Sequence, residues 1–226
     1  MDGDIRQRAG ALRCFPGRVA GPGTVPLTAF PIALIGEKIN VVIVGCGRVG
    51  ARKALAFHDA GATVRVISPD ATAELSAAAA SSERISVELR EYAGVADIAD
   101  AEIVVAATGT SADQRVADDA RSLHRLVVVA GDPKAGNYTS MSIHRAGSLA
   151  IGVSAGGVPG MAIRIRDEIA ERFDSRYGDV LTALAEIRAK TLDDGGTTEW
   201  TDEHTALIGE DFCDRVESGT MKKDTE

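Results

Sequence analysis

Cysteine is scarce in this chain. Only 3 of its 226 residues are cysteine, at positions 14, 46 and 213, with no C-x-x-C pair and no histidine at ligand spacing. Neither a disulfide framework nor a zinc site can be written from them, and no metal ligands are expected. Long hydrophobic runs are also missing. The longest, around residues 39–44, has the length of a strand, well short of the roughly 20 residues that cross a bilayer. The first 14 residues mix acids and bases without a signal-peptide layout. A reducing, cytoplasmic setting and no membrane partner are the expectation.

An excess of positive charge is absent as well. Lys and Arg number 25 against 33 Asp and Glu, and 15 of the acidic but only 7 of the basic residues lie from Glu171 onward, leaving 18 of each before it. A balanced body with an acidic end argues against nucleic acid, whose binding needs a positive surface to displace counterions. What the chain does contain is ordinary globular material, 45% hydrophobic and 26% charged.

The first 30 residues hold four Arg, five Gly and three Pro without periodicity, which predicts a poorly ordered extension over 1–25. From residue 39 the pattern is regular. INVVIVG is a β-branched run of buried type, followed at once by glycines and by the helical ARKALAFHDAGA. TVRVIS (63–68), ISVEL (85–89), EIVVAAT (102–108) and RLVVVAG (125–131) read as further strands, with a helix in SADQRVADDARSL for which Ser111 is the expected N-cap. Strands alternating with helical segments predict a doubly wound parallel sheet of the α/β class over 26–138.

After Gly131 the rhythm changes. YTSMSIHR and SLAIGVS suggest a hairpin outside the main sheet, and VPGMAIRIRDEIAERF an amphipathic helix with Met161, Ile165, Ile169 and Phe173 on one face. Together they set apart 139–174. DVLTALAEIRAKTL, with Val180, Leu184 and Ile187 in line, and EHTALIGEDFCDRV predict an acidic helical region over 175–226.

Gly45, Gly47 and Gly50 form G-x-G-x-x-G directly after the first strand and at the start of the first helix. Glycine there permits a tight turn, close approach of a pyrophosphate to backbone, and close helix-on-strand packing, with the phosphate at the positive helix end. Asp70 stands 20 residues after Gly50, just past the second strand, where a carboxylate takes ribose hydroxyls and repels a 2′-phosphate. NAD is therefore expected over NADP. Cys46 is read as a small residue that fits the turn. Thr108 ends the fourth strand, at the edge where ligands of open α/β sheets collect. The four histidines, 58, 124, 144 and 204, are scattered and carry no expected chemistry.

Four segments in order, VVIVGCGRVGARKALAFHDAGATVRVISPD, IVVAATGTSADQRVADDAR, GDPKAGNYTSMSI and LAIGVSAGGVPGMAIRIRDEI, resemble the siroheme synthase N-terminal domain, the precorrin-2 dehydrogenase and sirohydrochlorin ferrochelatase family, over about residues 26–173. The resemblance implies a Rossmann domain, a dimerisation region of strands and helix, a small C-terminal helical domain, and a homodimer. It implies an oxidoreductase that uses NAD to oxidise precorrin-2 to sirohydrochlorin in siroheme, hence porphyrin-type, biosynthesis; several members also insert ferrous iron. Carried over by position, cofactor contacts fall on Gly45, Gly47, Arg48, Val49, Gly50, Pro69, Asp70 and Thr108. The carboxylate-rich tetrapyrrole would meet Lys134 and Ser154 in a cleft completed by the partner subunit.

The departures are specific. The family closes its fifth strand with an Asp, its candidate general base; here that position is Gly131 and the carboxylate comes one residue later, as Asp132. Asp132 is the candidate catalytic residue, and the displacement weighs more against iron insertion, which needs a base for the pyrrole protons, than against hydride transfer. Ala155 replaces a customary Ser or Thr, and an aromatic-x-x-Pro stretch becomes Tyr138-Thr139-Ser140-Met141. Gly131 also feeds the competing reading, a non-catalytic module that senses NAD or holds a tetrapyrrole or metal.

Overall fold

The computed structural model describes residues 30–193 and 209–223. The extension expected over 1–25, and the first part of the helix expected over 203–216, lie outside the described residues. The chain divides into two compact units, the first ending at Tyr138 and the second beginning at Thr139.

The first unit is built on β1 (Asn40–Val44), in which four consecutive branched aliphatics, Val41, Val42, Ile43 and Val44, are all buried. Each contributes about 1.5–3 kcal/mol of burial. β2 (Thr63–Ser68), β3 (Ile85–Leu89), β4 (Ile103–Ala106) and β5 (Leu126–Val129) complete a parallel sheet of order β3-β2-β1-β4-β5. Val44 is in register with Ile67 on one side and Ala106 on the other. Side chains alternate across a strand, so Val41 and Ile43 pack with Ala51, Ala54 and Leu75 of α1 (Arg48–Asp59) and α2 (Ala73–Ser81). Val42 and Val44 face the other layer with Val116, Ala117 and Ala120 of α3 (Ala112–Ser122). Both faces of the sheet are covered, which is why its strands read as continuous apolar runs. The result is the Rossmann-like sheet that the strand spacing predicts.

Strand order reverses at β1. The chain runs outward through β2 and β3, then crosses to β4 and β5 on the opposite side. The carboxyl ends of β1 and β4 therefore flank the switch point, where open α/β sheets place their ligands.

Two elements lie outside the stated expectations, and one local expectation needs correction. A helix forms at 73–81 that the sequence pattern did not declare, capped by Thr72, whose side chain accepts the Leu75 N–H. Between β3 and β4 the chain makes only a 3-10 turn, Val95–Ile98. Ser111 has no side-chain capping bond: its backbone is already helical, and the Thr110 hydroxyl takes the Ala112 N–H at 3.2 Å instead.

In the second unit β6 (Ser142–Ala146) and β7 (Leu149–Val153) form an antiparallel hairpin. α4 (Pro159–Arg172) begins with proline in its first turn, α5 (Ser175–Asp193) starts one turn earlier than its apolar line suggests, and α6 (Phe212–Ser218) follows. Tyr177, Val180, Leu184, Val216 and Met221 form the core of this unit. The inward stripe expected on α4 is only half realised. Ala162 is buried and Phe173 half-buried, but Met161 is 52% and Ile165 40% exposed, because α4 packs on the hairpin through the face that carries the small residue. Among the described residues no helix is long and apolar enough to cross a membrane.

Candidate functional site

The glycine turn is fixed by contacts that only glycine satisfies. Gly45 has φ +98°, a left-handed conformation, and a Cβ on it would lie 2.5 Å from the Ala107 carbonyl oxygen and 2.6 Å from the Thr108 nitrogen. Its own N–H donates to the Ile67 carbonyl at 2.9 Å, while the Ala107 N–H donates to Val44 at 2.8 Å, so strands on both sides of β1 grip the start of the turn. A Cβ on Gly50 would meet the Gly45 carbonyl oxygen at 1.9 Å. Gly47 is different: nothing lies within 4 Å of the Cβ it lacks.

Gly47 is the N-cap of α1 and contributes no side-chain cap, and the first turn of the helix holds no acidic residue. The first N–H groups of a helix lack partners within it and carry a partial positive charge. Arg48, Arg52 and Lys53 add formal charge on the same helix, in which Asp59 is the only acid. Burial, followed by the positive charge of Arg52, holds the Lys53 ammonium below the usual lysine range. Open space at Gly47, the positive end of α1 and the cationic residues of that helix fit the pyrophosphate of a dinucleotide.

The other expected contacts occupy the same sheet edge. Arg48 is exposed and Val49 half-buried at the opening of α1, and Pro69 and Asp70 are exposed directly after β2. Thr108 follows β4, but its hydroxyl is already engaged. It donates to Asp113 Oδ1 at 2.8 Å and accepts the Thr110 N–H at 3.1 Å. Asp132 is exposed on the turn after β5, where its Oδ1 accepts the Lys134 N–H at 3.0 Å. Lys134 is exposed too, and Gly131, between strand and carboxylate, has φ +85° with open space at its missing Cβ. Ser154 belongs to the second unit, exposed just beyond β7. His144 is placed structurally, its Nε2 at the Phe173 carbonyl, and His58 Nε2 meets the Ser82 hydroxyl at 2.9 Å.

Two residues escaped the sequence reading. Ser68, the last residue of β2, accepts the Cys46 N–H on its Oγ at 3.1 Å. Asp113, in the first turn of α3, accepts the Thr108 N–H at 2.8 Å on Oδ1 and the Gly109 N–H at 2.9 Å on Oδ2. A single buried polar residue has no periodicity, so the pattern offered no signal for either.

Residues 32–142 match the NAD(P)-binding family model. Among curated proteins the chain is similar to siroheme synthases: 33% identical to that of Pseudomonas putida (strain F1) over 153 residues, 67% of this chain and 33% of the relative. It is also 33% identical to that of Chromobacterium violaceum over 151 residues, covering 66% of this chain and 32% of the relative. The chain thus spans about a third of the length of the curated relatives it matches. Among solved structures, SirC, precorrin-2 dehydrogenase, shares the fold with a TM-score of 0.66 at 20% identity, over 87% of this chain and 98% of that one. Sequence, fold and glycine turn agree: over about two thirds of its length the chain is similar to siroheme synthases, and residues 32–142 match an NAD(P)-binding family.

Proposed function

We propose that this chain oxidises precorrin-2 to sirohydrochlorin with NAD as the electron acceptor, acting as a homodimer in the cytoplasm. The observation that carries this reading is the glycine turn at the switch point, in a chain whose relatives are siroheme synthases. Asp70 after β2 favours NAD, since a carboxylate hydrogen-bonds ribose hydroxyls and repels a 2′-phosphate. Gly45, Gly47 and Gly50 with Arg48 and Val49 would hold the pyrophosphate, Pro69 and Asp70 the adenosine ribose, and the Thr108 backbone the nicotinamide side.

The reaction removes two electrons and two protons from the tetrapyrrole. When bound, NAD supplies the acceptor for the hydride. The remaining proton needs a base, and Asp132 is the carboxylate at the same sheet edge, one strand from Thr108. Lys134 would meet a substrate carboxylate as a point charge, and Ser154 would donate a hydrogen bond. Ferrous iron would enter as a second substrate. With Gly131 at the family's aspartate position, its insertion is expected at the rate of the enzyme-free control.

Anaerobic incubation of the protein with enzymatically made precorrin-2 and NAD, followed by sirohydrochlorin absorbance, tests the proposal. Sirohydrochlorin formed faster than without protein supports it. NADH binding without accelerated oxidation overturns it in favour of a sensing module.

A further inference from the structure

Among the described residues the buried polar side chains are two, Ser68 at 7% and Asp113 at 6% exposed. Burying a hydroxyl or a carboxylate is costly unless its hydrogen bonds are met, so two of them at one sheet edge call for a local reason. Neither serves the core. Each takes main-chain N–H groups of a loop that borders the glycine turn: Ser68 that of Cys46 inside the turn, Asp113 those of Thr108 and Gly109 beyond β4.

We propose that Ser68 and Asp113 are positioning residues that fix the two walls of the dinucleotide cleft, Ser68 the pyrophosphate turn and Asp113 the nicotinamide side; this rests on the NAD reading above. The network around Asp113 is complete. Its Oδ1 takes the Thr108 N–H and hydroxyl, its Oδ2 the Gly109 N–H, the Thr108 oxygen accepts from Thr110, and the Thr110 oxygen accepts the Ala112 N–H. Hydrogen bonds to a carboxylate are about twice as strong as neutral ones, so Asp113 favours this arrangement of the loop. The Ala107–Thr108 peptide next to Gly45 is held separately, by the Ala107 N–H bond to Val44 at 2.8 Å, so Asp113 orders the loop beyond it. With its hydroxyl and its N–H both given to Asp113, Thr108 meets a ligand through its carbonyl. The Cys46 N–H is likewise spent on Ser68, leaving anion binding to the amides that open α1.

The two walls lie on opposite sides of β1, Ser68 on β2 and Asp113 next to β4, so their removal has different consequences. Asp113→Asn keeps the size but turns an NH2 group toward an N–H. Binding of NADH and of ADP-ribose is measured by fluorescence titration and calorimetry on the full chain, with thermal melts alongside. For Asp113→Asn the expected result is about a tenfold loss of NADH affinity with ADP-ribose affinity retained. Ser68→Ala should weaken both ligands alike. Equal losses for both ligands in Asp113→Asn, or none, would overturn the positioning role while leaving the NAD reading intact. Failure of the wild-type protein to bind NADH would overturn both. Should Asp113→Asn not fold, hydrogen exchange of segment 106–112 in the wild type decides: slowing by NADH but not by ADP-ribose supports the assignment, and slowing by both alike overturns it.

Discussion

A Cβ added to Gly50 would lie 1.9 Å from the carbonyl oxygen of Gly45, so the two ends of the glycine turn touch through backbone. Gly47, between them, faces open space. The three glycines of one motif therefore serve different ends. Gly50→Ala must push α1 away from the end of β1 and is expected to cost about 3 kcal/mol. Gly47→Val has an extended backbone that any residue adopts, with φ −67° and ψ −179°, so the fold should survive while NADH binding is lost. Thermal melts and NADH titration of the two variants check this; a Gly47→Val protein that binds NADH like the wild type would remove the pyrophosphate from this turn.

Gly131 offers a gain-of-function test. Its missing Cβ has nothing within 4 Å, so space does not forbid a side chain there, but φ +85° does impose a cost. An L-residue in the left-handed region loses roughly 1–2 kcal/mol, and Asp is among those that tolerate it best. Gly131→Asp should thus fold, with a slightly lower melting temperature, and restore a carboxylate at the family's position. The expected outcome is iron insertion into sirohydrochlorin above the enzyme-free rate in the variant only. Asp132→Ala is the companion, expected to slow precorrin-2 oxidation by about a hundredfold or more, the lower end of general-base effects. Unchanged oxidation in that variant would remove Asp132 as the base.

Acid sensitivity of the first unit should centre on Asp97. Its carboxylate accepts both arms of the Arg90 guanidinium, at 2.8 and 2.9 Å, and the Ala93 N–H at 2.7 Å. The Arg90 bonds, and after them the Ala93 amide, hold the carboxyl below the usual carboxylate range against the opposing effect of burial. A carboxyl lowered in the folded state adds stability that is present in full above its unfolded value, about 4, and is lost as pH falls through the folded one. Asp97→Asn should lower the melting midpoint at neutral pH by on the order of 3 °C. The gap between variant and wild type should close on acidification. A gap that stays constant down to acid pH would show that the charge is not what stabilises this corner.

The sheet was legible because its strands are buried on both faces. Residues 41–44 are all apolar, and glycines at 45, 47 and 50 follow without a gap, so strand, turn and helix could be placed together. The stretch 73–81 is mostly alanine and serine, with Leu75 its one buried residue, and offers no apolar period to read. Met161 and Ile165 do have helical period, but period reports that a face is apolar and not which surface covers it. Ser68 and Asp113 were invisible for a third reason: the groups they satisfy are backbone amides of other segments, brought near only by the order of strands.

That uncovered face yields the last prediction. Val158, Met161 and Ile165 fall at spacings of three and four, one stripe of α4 and its N-terminal approach, and are 57%, 52% and 40% exposed; Ile143 on β6 is 50% exposed. Apolar side chains gathered in this way on an exposed surface mark an interaction site, and the homodimer proposed above supplies the occupant. A charged pair in the stripe should then act on assembly without touching the cores, since neither Met161 nor Ile165 belongs to a buried cluster. Met161→Glu combined with Ile165→Arg is expected to convert a dimeric wild type to monomer in sedimentation velocity, with NADH binding by the first unit retained. A wild-type protein that sediments as a monomer would remove the homodimer, and a charged variant that remains dimeric would move its contact off α4.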